Sequence, residues 1–310
     1  MNFTADIKKL PRHFLPEDFT LRDWETTEPY FQNLADRELD SREALEQWLK
    51  DVSELEAVVS EDACWRQIRM TCDTENKELE EAFTFFMMEL QPKIQPFADQ
   101  LNRKLIACPF TQELDNKQYF TYLRNVKKNI DLFREENIPL QAELNVMQQQ
   151  FGVISGKMTV VVNGQEFTLQ QATKFLEDPD RSVREQVYRA ISDRRFQDHK
   201  ELDVLYSNLV QKRNEVARNA GFSNYRDYRF AELGRFDYNK DACYQFHEAV
   251  KLHVMPLVDR LYAEKKKKLG LDVLRPWDIE AEPAGIEPLR PFKTGDELTQ
   301  KAIVCFRKLE

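Results

Sequence analysis

The sequence predicts a mainly α protein, a multi-helix body of long antiparallel helices carrying one small β-hairpin near 158–169. Three observations carry the prediction. Apolar residues recur at three- and four-residue steps through most of the chain, the period of a helix that buries one stripe. Only 8 Gly and 13 Pro interrupt 310 residues, of which 42% are hydrophobic and 32% charged, the mixture of an ordinary helical protein with a substantial core. One segment, KMTVVVNGQEFTL, switches to a period of two.

Residues 1 to about 22 carry Pro11 and Pro16 and are expected to form an extended arm. In DSREALEQWLKDVSELEAVV, the residues Leu45, Trp48, Leu49, Val52, Leu55 and Val58/Val59 fall on one helical face. Asp40, followed three residues later by Glu43, reads as a capping box at its start. A second helix is expected from about Glu61, and Leu79, Phe83, Phe86, Met87 and Leu90 continue the same period. Proline is tolerated best in a first turn, so a new helix should begin near Pro92 and end before Pro109. Two more are expected at about 116–134 and 139–151, all joined by short turns that make neighbours antiparallel.

In the hairpin, Met158, Val160 and Val162 alternate with Thr159 and Val161, Asn163-Gly164 supplies a type I′ turn, and Glu166 to Leu169 returns. A lone hairpin is marginal in water, so it should pack on a helix or gain a strand. Helices then resume at about 170–176, 180–195, 198–219, 224–231 and 239–268, with Gly221 and Gly270 at C-cap positions. The connection RPWDIEAEPAGIEPLRPFKTGD leads to a last helix from about Glu297. No fixed-period repeat occurs, which argues against a solenoid. The chain stops at Glu310 inside a helical pattern, which is the expectation for a truncated rather than a native end.

A net charge of -9 argues against a general nucleic-acid binder, whose surface is usually basic. The five cysteines (Cys64, Cys72, Cys108, Cys243, Cys305) form no CxxC pair, and an odd, widely spaced set suits a reducing compartment. The N-terminus lacks the apolar stretch of a signal peptide, and no apolar run approaches membrane-spanning length. The expected location is the cytoplasm.

Few residues are arranged for chemistry. His247 and His253 in HEAVKLH sit six apart, about 120° around a regular helix, whereas two histidines on one zinc need the i, i+4 spacing. They read as ordinary helical histidines. His13 and His199 have no partner set by spacing, and neither a Gly-rich phosphate loop nor a GxSxG serine is present. The run Lys265–Lys268 complements a helix C-terminus. Arg124, Arg134, Arg181, Arg184, Arg189, Arg194 and Arg195 are interleaved with acids and read as solvated faces and ion pairs.

The motifs themselves are more specific. MTCDT (70–74), LFREENIPL (132–140), GKMTVVVNGQEFTLQQA (156–172), DRSVREQVYRAISDRR (180–195), NAGFSNYRDYRF (219–230) and LRPWD (274–278) follow one another in order. In that succession the chain resembles the oligoendopeptidase F family of zinc metallopeptidases, related to the thimet oligopeptidase type. The resemblance implies an N-terminal helical region over 1–198, including the hairpin, and the beginning of a helical catalytic domain over 199–310. In that family two His of an HExxH helix and a later Glu hold zinc, and the motif's own Glu activates the water. No HExxH occurs in these 310 residues, so no catalytic, cofactor or metal residue is carried over. The implied function is peptide-bond hydrolysis in short unfolded peptides by the full-length protein. Zinc is expected there, and this chain alone is expected to hold none and to be inactive.

Tyr225, Tyr228, Arg229 and Arg235, with Trp277, are the residues that could line a peptide cleft. The preferred reading is that such residues buttress helix packing. The expected partner is the missing C-terminal catalytic half, with no nucleic acid and no membrane. Without that half, an apolar face around Val254, Leu257, Ile303, Val304 and Phe306 should be exposed and could drive self-association. The alternative is a naturally short, non-catalytic helical binding or scaffold protein, which would cover that face.

Overall fold

A computed structural model describes residues 11–283, 285–286 and 289–309. The first ten residues of the expected arm, and Glu310, lie outside the described residues. In chain order the helices are α1 (Trp24–Asp36), α2 (Arg42–Cys72), α3 (Lys77–Phe85), α4 (Gln91–Ala107), α5 (Asn116–Leu132) and α6 (Asn137–Gly156). Strands β1 (Thr159–Val162) and β2 (Gln165–Thr168) come next, followed by the one-turn α7 (Leu169–Ala172). Then come α8 (Arg181–Gln197), α9 (His199–Asn219), α10 (Tyr225–Glu232), α11 (Lys240–Ala249), α12 (Met255–Lys268) and α13 (Gly295–Arg307). The protein is mainly α with one two-stranded antiparallel sheet among the described residues. It divides into two compact units, Met1–Lys157 with Asp198–Cys243, and Met158–Gln197 with Tyr244–Glu310.

In the first unit the apolar stripe of α2 is buried as its period requires. Leu45, Trp48, Leu49, Val52 and Leu55 meet Phe31 and Leu34 of α1, Leu101 and Leu105 of α4, and Val126 of α5. The Trp48 indole N–H donates to the Leu34 carbonyl at 2.9 Å, so this ring is packed and satisfied at once. Two expectations need correction here. No second helix starts at Glu61, because α2 runs unbroken to Cys72. No Gly or Pro falls between Arg42 and Cys72 to stop it; the burial fades beyond Val59, not the helix. The cap is Ser41, whose hydroxyl accepts from the Ala44 N–H at 3.2 Å, rather than Asp40.

Nor does a separate helix begin at Pro92. Instead α3 passes through a π turn, Phe86–Leu90, directly into α4. The same device recurs as Val250–Val254 between α11 and α12, just before Pro256. A proline inside a helix lacks the N–H for one backbone bond and crowds the turn before it; a π turn at that point widens the turn and keeps the helix continuous.

The arm is irregular as expected, but its described part is held down. The backbone N–H groups of His13, Phe14 and Leu15 donate to the Glu54 carboxylate at 2.8, 3.1 and 2.8 Å, and Leu15 and Leu21 are buried. Burial pushes the Glu54 carboxyl up, and the three amides outweigh it, leaving its pKa below the ordinary value. Elsewhere in this unit α6 packs on α9 through Leu144, Leu205, Leu209 and Val216.

In the second unit Asn163 and Gly164 both have positive φ, 52° and 80°, the type I′ geometry. Val160 and Val162 pack against Ala172 of α7 and Val187 and Ile191 of α8, which supplies the helix a lone hairpin needs. The RPWD segment is a buried ion lock. Asp278 is fully buried and accepts from Arg181 at 3.0 and 2.9 Å, from Arg184 at 3.1 Å and from the Arg275 N–H at 2.9 Å. Arg184 is therefore not on a solvated face; only 4% of it is exposed, and it also donates to the carbonyls of Asp178, Pro179 and Trp277. Burial raises the Asp278 pKa, but the Arg181, Arg275 and Arg184 hydrogen bonds prevail and bring it down to about 2. By contrast α11, α12 and α13 bury no residue.

Candidate functional site

The segment NAGFSNYRDYRF builds one wall of a cavity in the first unit. Gly221, at φ +86°, closes α9, and the Phe222 N–H returns to the Ala217 carbonyl at 2.9 Å. Asn224 then caps α10, its side-chain oxygen accepting from the Asp227 N–H at 3.0 Å. Past α10, Gly234 turns the chain at φ +63°; a Cβ there would lie 3.2 Å from the Phe236 ring and 3.3 Å from the Asn125 amide oxygen. Glycine is needed at this turn for both its angle and its bareness.

The four candidate residues go to different places. Tyr228 is 3% exposed, inside the cluster of Leu209 and Val216, with the Phe222 ring edge-on at 5.7 Å. Burial and the Glu232 charge push its phenol up to about 12. Tyr225 is half-buried, 5.9 Å from the Tyr228 ring and beneath the Arg213 guanidinium at 5.7 Å. Arg229 is paired with Glu232 on the same helix. Arg235 alone of the four lines the cavity. Trp277 lies in the second unit, with Arg189 over its ring at 5.1 Å.

The cavity measures about 780 Å³. One side is α5, whose Arg124, Lys127, Lys128 and Asp131 share a face; the other is Phe222, Phe230 and the strap from Arg235 to Asp241. Arg124 lies over the Phe236 ring at 4.1 Å and the Phe120 ring at 5.3 Å, with its nearest acid, the exposed Asp237, at 3.5 Å. Arg235 lies over Phe230 at 4.7 Å and Tyr238 at 6.0 Å. Lys128 caps the end of α10, donating to the Glu232 carbonyl at 2.9 Å. The Asp227 carboxyl is lowered to about 2, first by hydrogen bonds from Arg226 and Asn224 and further by the Lys240 charge, so it stays ionised. No His, Cys or Ser lines the cavity, which equips it for binding rather than for nucleophilic chemistry. The cationic face of α5 was missed by sequence reasoning, although the i, i+3, i+4, i+7 spacing of Arg124, Lys127, Lys128 and Asp131 would have found it.

A second cavity of about 360 Å³ lies between α2, α3 and α6, lined by neutral groups such as Gln67, Met70, Asn145 and Gln148. Neither cavity fits a metal. Among the described residues no group of three or more His, Cys, Asp or Glu could hold one. His247, on α11, and His253, within the second π turn, are both exposed. Zinc therefore does not fit the described residues. Among them, no helix is long and apolar enough to cross a membrane.

Comparison with known proteins gives these features a context. A search of curated proteins found no match. Among solved structures, one named as an oligoendopeptidase F superposes with a TM-score of 0.87 at 25% identity, over 97% of this chain and 53% of that one. A PZ peptidase A solved with an inhibitor gives 0.79 at 22% identity, over 86% of this chain and 48% of the other. An oligoendopeptidase F structure from Bacillus anthracis gives 0.85 at 20% identity, over 95% and 54%. At 22% and 20% identity, the likeness of the last two is one of fold. This chain thus spans about half the length of the structures it matches. Two family models align in sequence order, the Peptidase M3 N-terminal domain over residues 14–133 and Peptidase family M3 over residues 174–304. Matched by two domains of one family across most of its length, the chain belongs to peptidase family M3.

Proposed function

We propose that this chain is the N-terminal portion of a cytoplasmic zinc-dependent oligoendopeptidase, whose full-length form hydrolyses short unfolded peptides. The observation that carries the reading is the family M3 match over residues 174–304 in a sequence that contains no HExxH. In this reading residues 1–198 are the N-terminal helical region and 199–310 open the catalytic domain. The zinc, its ligands and the water-activating Glu belong to the part of the protein beyond these residues. What the described residues contribute is shape and charge: a packed helical wall, and a cationic, aromatic-lined cavity with no nucleophile.

The surface supports the same reading. Phe246, Leu252, Leu257, Ile303, Val304 and Phe306 are all exposed, on helices that bury nothing. A catalytic half packed on them would cover that apolar area; without it, they give the chain a surface for self-association.

The test is cleavage of a short internally quenched peptide, with and without added Zn²⁺ and with and without a chelator. The 310-residue chain should give no turnover, whereas a longer form from the same source should cleave in a chelator-sensitive way. Turnover by this chain alone would overturn the assignment of catalysis to other residues. A native protein of 36.8 kDa with no larger form in its source would replace the reading with a non-catalytic scaffold.

A further inference from the structure

We propose that the cavity between α5 and α10 is a carboxylate clamp for the C-terminal end of a short peptide whose last side chain is apolar. The inference rests on the peptidase reading for its ligand class, but its physical basis is local.

The charge of the wall is the first argument. Arg124, Lys127, Lys128, Arg235 and Lys240 line it against Asp131, Asp227 and Asp241. That is an excess of positive charge in a chain whose net charge is -9. Two of these cations, Arg124 and Arg235, are held by no close carboxylate among the described residues. Elsewhere arginines are spent on carboxylates, as in Arg37–Asp51, Arg66–Asp62 and Arg103–Asp99, at 2.5, 2.5 and 2.6 Å. Among the described residues, the Arg124 and Arg235 side chains donate no hydrogen bond, and Arg124 has only the 3.5 Å approach of an exposed Asp237. The Arg124 Nε–H is buried without an acceptor, and a buried donor calls for an acceptor from outside.

The second argument is geometric. Both guanidiniums lie against aromatic rings, Arg124 on Phe236 and Phe120, Arg235 on Phe230 and Tyr238. A ring beneath a guanidinium leaves the N–H edges free, and those edges match a planar carboxylate in a two-point bond. The same rings, with Phe222, supply apolar wall for a terminal side chain. The volume, about 780 Å³, lies within the usual range for small-ligand pockets of about 300–1,000 Å³. Three carboxylates in the wall disfavour a multiply charged phosphate and tolerate a single negative charge. Asp131 and Asp241 remain as acceptors for peptide N–H groups.

The experiment is calorimetric titration of the 310-residue chain with N-acetyl-Ala-Ala-Phe and, separately, with its C-terminal amide. The acid should bind about ten-fold more tightly than the amide. That preference should be lost in Arg124→Gln and in Arg235→Gln, each checked by thermal melting; Arg235 is on an exposed strap, so its replacement leaves the fold intact. Equal binding of acid and amide, no binding of the acid, or a preference that survives both substitutions would overturn the clamp. Displacement of the peptide by inorganic phosphate more readily than by acetate would overturn the choice of carboxylate. The peptidase reading fails separately: cleavage by the longer form with no preference for a free C-terminus sinks the clamp alone. A preference for the acid with no cleavage sinks the peptidase alone.

Discussion

The helices α2 and α12 are written in the same alphabet and meet opposite fates. Each carries apolar residues at helical spacing and places basic charge in its last turn. On α2 the stripe from Leu45 to Leu55 is buried by three other helices; on α12, Leu257 and Leu261 remain exposed and nothing is buried. The difference teaches that periodicity announces a face seeking a partner and says nothing of whether that partner lies in the same 310 residues. Stability should therefore be concentrated in the first region and association in the second.

The sharpest way to break that comparison is to remove equivalent mass from each side. Trp48→Ala should destabilise the chain by about 3–5 kcal/mol, from the lost burial and the cavity left behind. It also removes one of the two donors on the Leu34 carbonyl, leaving the Lys104 ammonium at 3.1 Å as the other. Urea unfolding followed by circular dichroism measures it, and a loss below about 1 kcal/mol would mean that the first core is not where stability resides.

Next in size is the ion lock of the second unit. Asp278→Asn should cost about 3 kcal/mol, because it leaves Arg184 buried without its counter-charge. The sign of the pH effect follows from the lowered pKa. Ionised Asp278 stabilises the fold above its ordinary value of 3.8, and that contribution is lost as pH falls from there through about 2. Thermal melting between pH 5 and 2, expected on general grounds to fall steeply only below about 4, should lose part of its slope in the Asn variant.

Smallest is Phe306→Ser on α13, which should change stability by less than about 0.5 kcal/mol since the ring is already in solvent. Its effect should be on assembly: sedimentation of the parent chain is expected to depend on concentration, and the variant's to depend on it less. Concentration-independent monomer behaviour of the parent would remove the functional meaning given to the exposed face.

How much of this was legible in the sequence follows from the same contrast. Period and turn chemistry are local, so the stripe of α2, the Asn163-Gly164 turn and the helix ends at Gly221 and Gly270 could be read directly. What depends on distant residues could not. Arg184 looks like one more arginine on a charged helix until Asp278, far along the chain, arrives beside it. Arg124 gives no sign of lying on Phe236. The apparent break at Glu61 was a change of neighbours along one helix. Proline at 92 was read as a boundary because a π turn, which lets the helix run on, leaves no composition of its own. Of the candidate site, the motif around Tyr225–Phe230 was found as a block, but the strap from Arg235 to Asp241 follows a turn at Gly234 that no spacing reveals.

The grip of Glu54 on the arm sets a limit for anyone who trims this protein. One carboxylate holds three successive amides at 13–15, and Arg12 reaches the carbonyls of Pro16 and Phe19 at 2.9 Å. Starting a shortened chain at Pro16 would thus not shed a loose leader. It would uncork Leu15 from the main core and strand an anion that had been satisfied, turning a convenience of cloning into a loss of solubility. Shortened versions intended for crystallisation or display should keep everything from Pro11 onward.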